Sequence, residues 1–191
     1  MDTVSEKLSI LAIMVSAVSL SASPHPIVLI ACYFIHEIGH MVFSYFVGAK
    51  MRKFKIGALH LSLSYDTTML SYKREILVQM GGIIFNMLSV IIVLALPILQ
   101  GDVCDFFVVA SISLALMNLY PISVLDGGGL LKNILLILFP QGIAEKFSKA
   151  ISFIAAILLW LVSVYLQLMF ASNFSLYFIS VLLLVELCFT Y

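Results

Sequence analysis

Apolar residues in this chain fall in runs of about 20, the length that a helix needs to cross a lipid bilayer, and these runs limit the possible folds more than any other feature. They extend from Leu8 to Ala22, Ile27 to Val47, Ile76 to Leu99, Val103 to Leu125, Ile151 to Phe170, and Phe174 to the C-terminus. Hydrophobic residues make up 63% of the 191 positions and charged residues only 10%, against roughly 25% charged in an ordinary soluble domain. The expected fold class is an all-α polytopic membrane protein with about six transmembrane helices. The first run is short, and the "SAS" behind it resembles a signal-peptide cleavage site. The leading MDTVSEK carries one lysine and two acids, so a retained helix is expected, with a cleaved signal as the alternative.

Ten Lys/Arg balance ten Asp/Glu, a total that points to neither nucleic acid nor an acidic substrate; the placement of the charges is more informative. Lys7 precedes the first run. Lys50, Arg52, Lys53, Lys55, Lys73 and Arg74 lie between the second and third, and Lys132, Lys146 and Lys149 between the fourth and fifth. The intervening loops have no basic residue, so the positive-inside rule puts both termini in the cytosol. In the longest loop, Leu59, Leu61, Leu63 and Tyr65 alternate with His60, Ser62 and Ser64. That period of two predicts a strand, with Gly57 as a turn or bulge before it, in a small β element on the cytosolic side. Cys32, Cys104 and Cys188 are too scattered for a disulfide framework or a thiolate zinc site.

One apolar run contains a polar trio, in "CYFIHEIGHMVFSYFVG". A charged side chain at bilayer depth costs on the order of 3 kcal/mol or more unless it is paired, metal-bound or hydrated. His36 and His40 are four residues apart, on one helix face, and can share one ion. Glu37 then stands beside a metal-bound water without ligating, the arrangement of H-E-x-x-H zinc proteases. The alternative is a motif without function. Catalytic zinc takes three protein ligands, and Asp126 in "MNLYPISVLDGGGLL" is the best intramembrane candidate for the third. Pro121 and the glycines predict an unwound stretch from Asn118 to Gly129, tolerated at membrane depth where it lines protein or a wet cavity; alternatively, Asp126 only caps a helix. His40 precedes Gly48 by about 12 Å of helix, which places the site nearer the cytosolic face. His25 and His60 are not positioned as ligands. Glu186 is expected to pair with a neighbouring helix or to snorkel.

HEIGH within a membrane helix followed by "NLYPISVLDGG" resembles the site-2 protease family of intramembrane zinc metalloproteases, in its compact form without a PDZ domain. The resemblance implies one catalytic Zn2+ held by His36, His40 and Asp126, with Glu37 as general base. It also draws attention to Asn118 and to "GGIIFN", Gly81 to Asn86, where the family commonly has a proline after the glycine and this chain has Ile83. Asn118 is expected to donate to the scissile carbonyl as it becomes an oxyanion. Asn86 is expected to do the same or to hold the substrate backbone. For both, an interhelical hydrogen bond is the alternative, and for Gly81 and Gly82 it is close helix packing. The implied protein is a single transmembrane protease domain, residues 1–191, with a catalytic core over about 27–131 and further helices over about 147–191. It would cut single-span membrane proteins in a prokaryotic cell membrane, with a regulatory membrane protein or a second copy as possible partners. Two other readings are a zinc-stabilised membrane protein that binds such partners without cutting them, and a metal transporter. The transporter would need a polar path across the membrane, whereas the polar groups gather at one site.

Overall fold

The structure, a computed structural model, describes residues 26–56, 61–66, 70–96, 99–170 and 174–190. The first apolar run, His25, Gly57 and His60 lie outside the described residues. In chain order the elements are α1 (Pro26–Phe46), β1 (Lys50–Ile56), β2 (Leu61–Asp66), α2 (Tyr72–Ala95), α3 (Asp102–Asn118), α4 (Asp126–Leu138), α5 (Gln141–Phe170) and α6 (Phe174–Thr190). The fold is helical. Its two strands form one antiparallel hairpin in which Phe54 faces Leu63 and Ile56 faces Leu61, with a register shift between Met51 and Lys53.

Among the described residues, three segments are long and apolar enough to cross a membrane: Ile27–Phe46, Tyr72–Ala95 and Gln141–Met169. This makes the chain a membrane protein; among the described residues, three of the six expected spans are helices of spanning length. The α3 and α6 helices have 17 residues each, about 25 Å at 1.5 Å per residue, against a hydrocarbon core of about 30 Å. The run from Val103 to Leu125 stops being helical at Asn118, because Pro121 has no N–H to continue the ladder and disfavours helical dihedrals in the residue before it.

Unwinding is shorter than the glycines suggested. It covers Leu119 to Leu125, and α4 starts at Asp126 with Gly127, Gly128 and Gly129 already helical. A Cβ on Gly127 would strike the Leu119 carbonyl oxygen, and one on Gly128 the Ile122 carbonyl oxygen. These two glycines therefore permit close approach: they let the first turn of α4 sit directly on the unwound loop.

Three small apolar clusters hold the helices together. Cys32, Val93 and Phe107 join α1, α2 and α3; Ile83, Ala115 and Leu130 join α2, α3 and α4; and Ile122 in the loop packs on Ala155, Ala156, Leu183 and Leu187 of α5 and α6. The cysteines are unbridged, as the spacing implied, and buried Cys32 accepts a bond from Ser111 Oγ at 3.2 Å. The α5 and α6 helices also share a buried bond between the Ser163 and Ser180 hydroxyls, 2.8 Å apart. Ser163→Ala is expected to cost roughly 1 kcal/mol, the scale of such bonds in membranes. A measured shift in the denaturation midpoint in mixed micelles checks it.

Candidate metal centre

The site is built where α1 crosses α2. His36 and His40 project from α1 one turn apart, and the α2 backbone at Gly82 lies directly against their rings. A Cβ there would sit 2.5 Å from His36 Cε1, 2.6 Å from His40 Nε2 and 2.7 Å from His36 Nδ1, so only glycine leaves room for both imidazoles. One residue back the two helices meet backbone to backbone, since a Cβ on Gly39 would strike the Gly81 carbonyl oxygen.

Asp126 completes the group from α4. Its Oδ2 is 3.0 Å from His36 Nε2 and 3.2 Å from His40 Nε2, and the two Nε2 atoms are 3.1 Å apart. The aspartate occupies the first position of α4, where the partial positive charge of a helix N-terminus favours a carboxylate. All three side chains are largely sheltered, with exposures of 5% for His36, 17% for His40 and 22% for Asp126.

Hydrogen bonding within the group bears on what it can hold. The Nδ1–H of His40 donates to the Val78 carbonyl of α2 at 2.8 Å, which leaves a lone pair on the neutral ring's Nε2. With His40 neutral, that lone pair faces Asp126 Oδ2 at 3.2 Å, acceptor against acceptor, whichever tautomer His36 adopts. A cation shared by the three atoms removes the conflict, and the triangle has the right size for one. Tetrahedral zinc with bonds of about 2.0–2.1 Å has ligand–ligand edges of about 3.3–3.4 Å. The donor set therefore fits a zinc ion.

Glu37 follows His36 on α1, half-buried and outside the ligand triangle. Asn118 is the last residue of α3; its Nδ2 donates to the Leu114 carbonyl at 3.0 Å, and no hydrogen bond links it to the three ligand candidates. Asn86 lies on the far side of His36, with Nδ2 3.3 Å from Nδ1 of that ring. Glu186 is buried in α6 at 5% exposure, so it does not snorkel to an interface. Sequence reasoning missed the Val78 carbonyl, which no side-chain pattern reveals, and for Gly82, noted within "GGIIFN", it offered close helix packing as the alternative without placing it against the histidines. A signal for Gly82 existed: Gly82 and Asn86 are one turn apart, so the glycine shares a face with a polar residue in an apolar helix. A cleft of about 690 Å³, lined among others by Glu75, Gln79, Gly129, Lys132, Asn133 and Glu145, begins one residue from Val78 and three from Asp126.

These observations define a membrane protein in which two histidines and an aspartate, brought from different helices, are able to hold a metal ion. The model of peptidase family M50, the site-2 protease family, matches residues 100–162, from α3 into α5 and including Asn118 and Asp126. That match bears out the resemblance carried by the two motifs and supports a protease of the metallopeptidase type; it spans about a third of the chain and excludes HEIGH. No curated protein matches the chain.

Proposed function

We propose that this protein is an intramembrane zinc metalloendopeptidase that cuts single-span membrane proteins within or near the bilayer, with His36, His40 and Asp126 as its zinc ligands. The observation that carries the proposal is the convergence of three ligand atoms 3.0–3.2 Å apart in an arrangement that a shared cation reconciles. The match to peptidase family M50 supplies the reaction type. Bound zinc supplies Lewis acidity, bringing the pKa of water from 15.7 to about 7.

The chain's own residues do the rest. Glu37, beside His36 and free of the ligand triangle, takes the proton of the attacking water and passes it to the leaving amine. Asn118 uses one amide hydrogen on the Leu114 carbonyl and keeps a second for the oxygen that becomes negative as the carbonyl is attacked. A substrate helix has to unwind before its carbonyl is reachable, and the unwound stretch from Leu119 to Leu125 next to Asp126 gives it a non-helical surface to lie along. A separate cleft beside α4 is lined by the polar residues Glu75, Lys132 and Glu145. Among the described residues the sheet has two strands, so an extended segment can add to an outer edge by main-chain bonding. The distribution of basic residues supports cytosolic termini and a site nearer that side.

The test is direct. Full-length protein in lipid nanodiscs, supplied with zinc, is incubated with candidate single-span proteins. The proposal expects fragments whose release stops on chelation and resumes on adding zinc. Stoichiometric zinc and stable capture of partners without any cleavage across the panel would instead establish a non-catalytic zinc-stabilised binding protein.

A further inference from the structure

Asn86 is fully buried in α2, and its Oδ1 is among the few buried side-chain oxygens left without a partner. Its amide stands against Nδ1 of His36, with Nδ2 at 3.3 Å. A ring nitrogen that accepts from an amide N–H carries no proton, so in this arrangement the hydrogen of neutral His36 is on Nε2. There it points to Asp126 Oδ2, 3.0 Å away. Such a ring cannot offer Nε2 to a metal.

Metal binding reverses this requirement. For Nε2 to present its lone pair, Nδ1 must carry the hydrogen and needs an acceptor, as ligating histidines generally have. His40 already has one in the Val78 carbonyl at 2.8 Å. For His36 the atom in reach is the Asn86 amide, whose oxygen and nitrogen ends exchange places on a half-turn about the last side-chain bond. Either orientation leaves one end of the amide unpartnered, so hydrogen bonding at Asn86 alone does not choose between them. The metal chooses.

We infer that Asn86 is a positioning residue for the metal centre: with its amide turned so that Oδ1 accepts the Nδ1–H of His36, it fixes the tautomer that presents Nε2. This inference rests on the zinc-ligand role proposed for His36 and gives Asn86 a task away from the substrate, in place of the oxyanion or backbone-holding role expected from the sequence. Gly82, one turn earlier on the same helix, leaves room for the same ring. The α2 helix thus supplies both the space for His36 and its hydrogen-bond partner.

The experiment compares wild type, Asn86→Leu and Asn86→Asp as full-length purified proteins. Zinc affinity is measured by competition with a chromophoric chelator, and the coordination geometry by the visible spectrum after cobalt substitution. Leucine removes the acceptor at similar size, so affinity is expected to fall about 10–100-fold, the usual effect of losing such a partner. Aspartate accepts but cannot donate, so it is expected to retain wild-type affinity, the tetrahedral cobalt spectrum and cleavage within about tenfold. If Asn86→Leu does not fold, Asn86→Asp still decides. A substrate-contacting donor would lose cleavage in Asn86→Asp at unchanged zinc affinity, and that result overturns the inference, as does wild-type zinc affinity in Asn86→Leu. The order of zinc affinities does not depend on whether any substrate is cut, so the loss of the peptidase reading and the loss of this inference are separate outcomes.

Discussion

Replacing Glu37 with glutamine is expected to lower cleavage of a single-span substrate by about 10²–10⁴-fold, the usual contribution of a positioned general base, while zinc stays bound at one ion per chain. Glutamine has nearly the shape of glutamate but cannot accept a proton, so the substitution removes the base and little else. Glu37 lies outside the His36, His40 and Asp126 group, which is why metal content is expected to hold. Measuring bound zinc and fragment release on the same preparation distinguishes a chemical defect from a lost metal. Cleavage at the wild-type rate with full zinc would remove Glu37 from the mechanism.

Gly82→Ala is expected to weaken zinc binding by at least about 100-fold through a single methyl group. That methyl would lie 2.5–2.7 Å from three atoms of the two imidazoles, where carbon contacts are comfortable at about 3.5–4.0 Å. The rings must therefore withdraw by roughly 1 Å, several times the tolerance of about 0.2 Å on zinc–ligand distances. Overpacking of this kind costs about 1–3 kcal/mol even without a metal. Gly142→Ala is the control: nothing lies within 4 Å of a Cβ at that position on α5, so zinc affinity should not change. The two variants are compared by chelator competition, and equal affinity for both would show that Gly82 does not shape the site.

Much of the site could be read from residues because its logic is local or chemical. The i, i+4 spacing of His36 and His40 is a property of any helix, and the need of catalytic zinc for a third ligand led to Asp126. The structure brings those three together across 90 positions of chain. What escaped were contacts made by small or main-chain groups: the Val78 carbonyl, the missing Cβ of Gly82, and the side of His36 against which Asn86 rests. The helical class followed from apolar length, and three of the expected spans are helices of spanning length among the described residues. Run length does not show where Pro121 halts α3, nor that "DGGG" starts a helix. The glycines after Asp126 were read for conformational freedom, whereas the helix uses Gly127 and Gly128 because they lack side chains.

The two imidazoles differ in how exposed they are to mutation. His40 leans on the main chain of Val78, and no change of codon deletes a peptide oxygen, so its support survives any replacement there that keeps the helix intact. His36 leans on a side chain, and a single nucleotide change in the Asn86 codon is enough to take that support away. Gly82 matters to both rings, but the genetic fragility of their hydrogen-bond support falls on His36 alone, although the two sit on the same helix one turn apart.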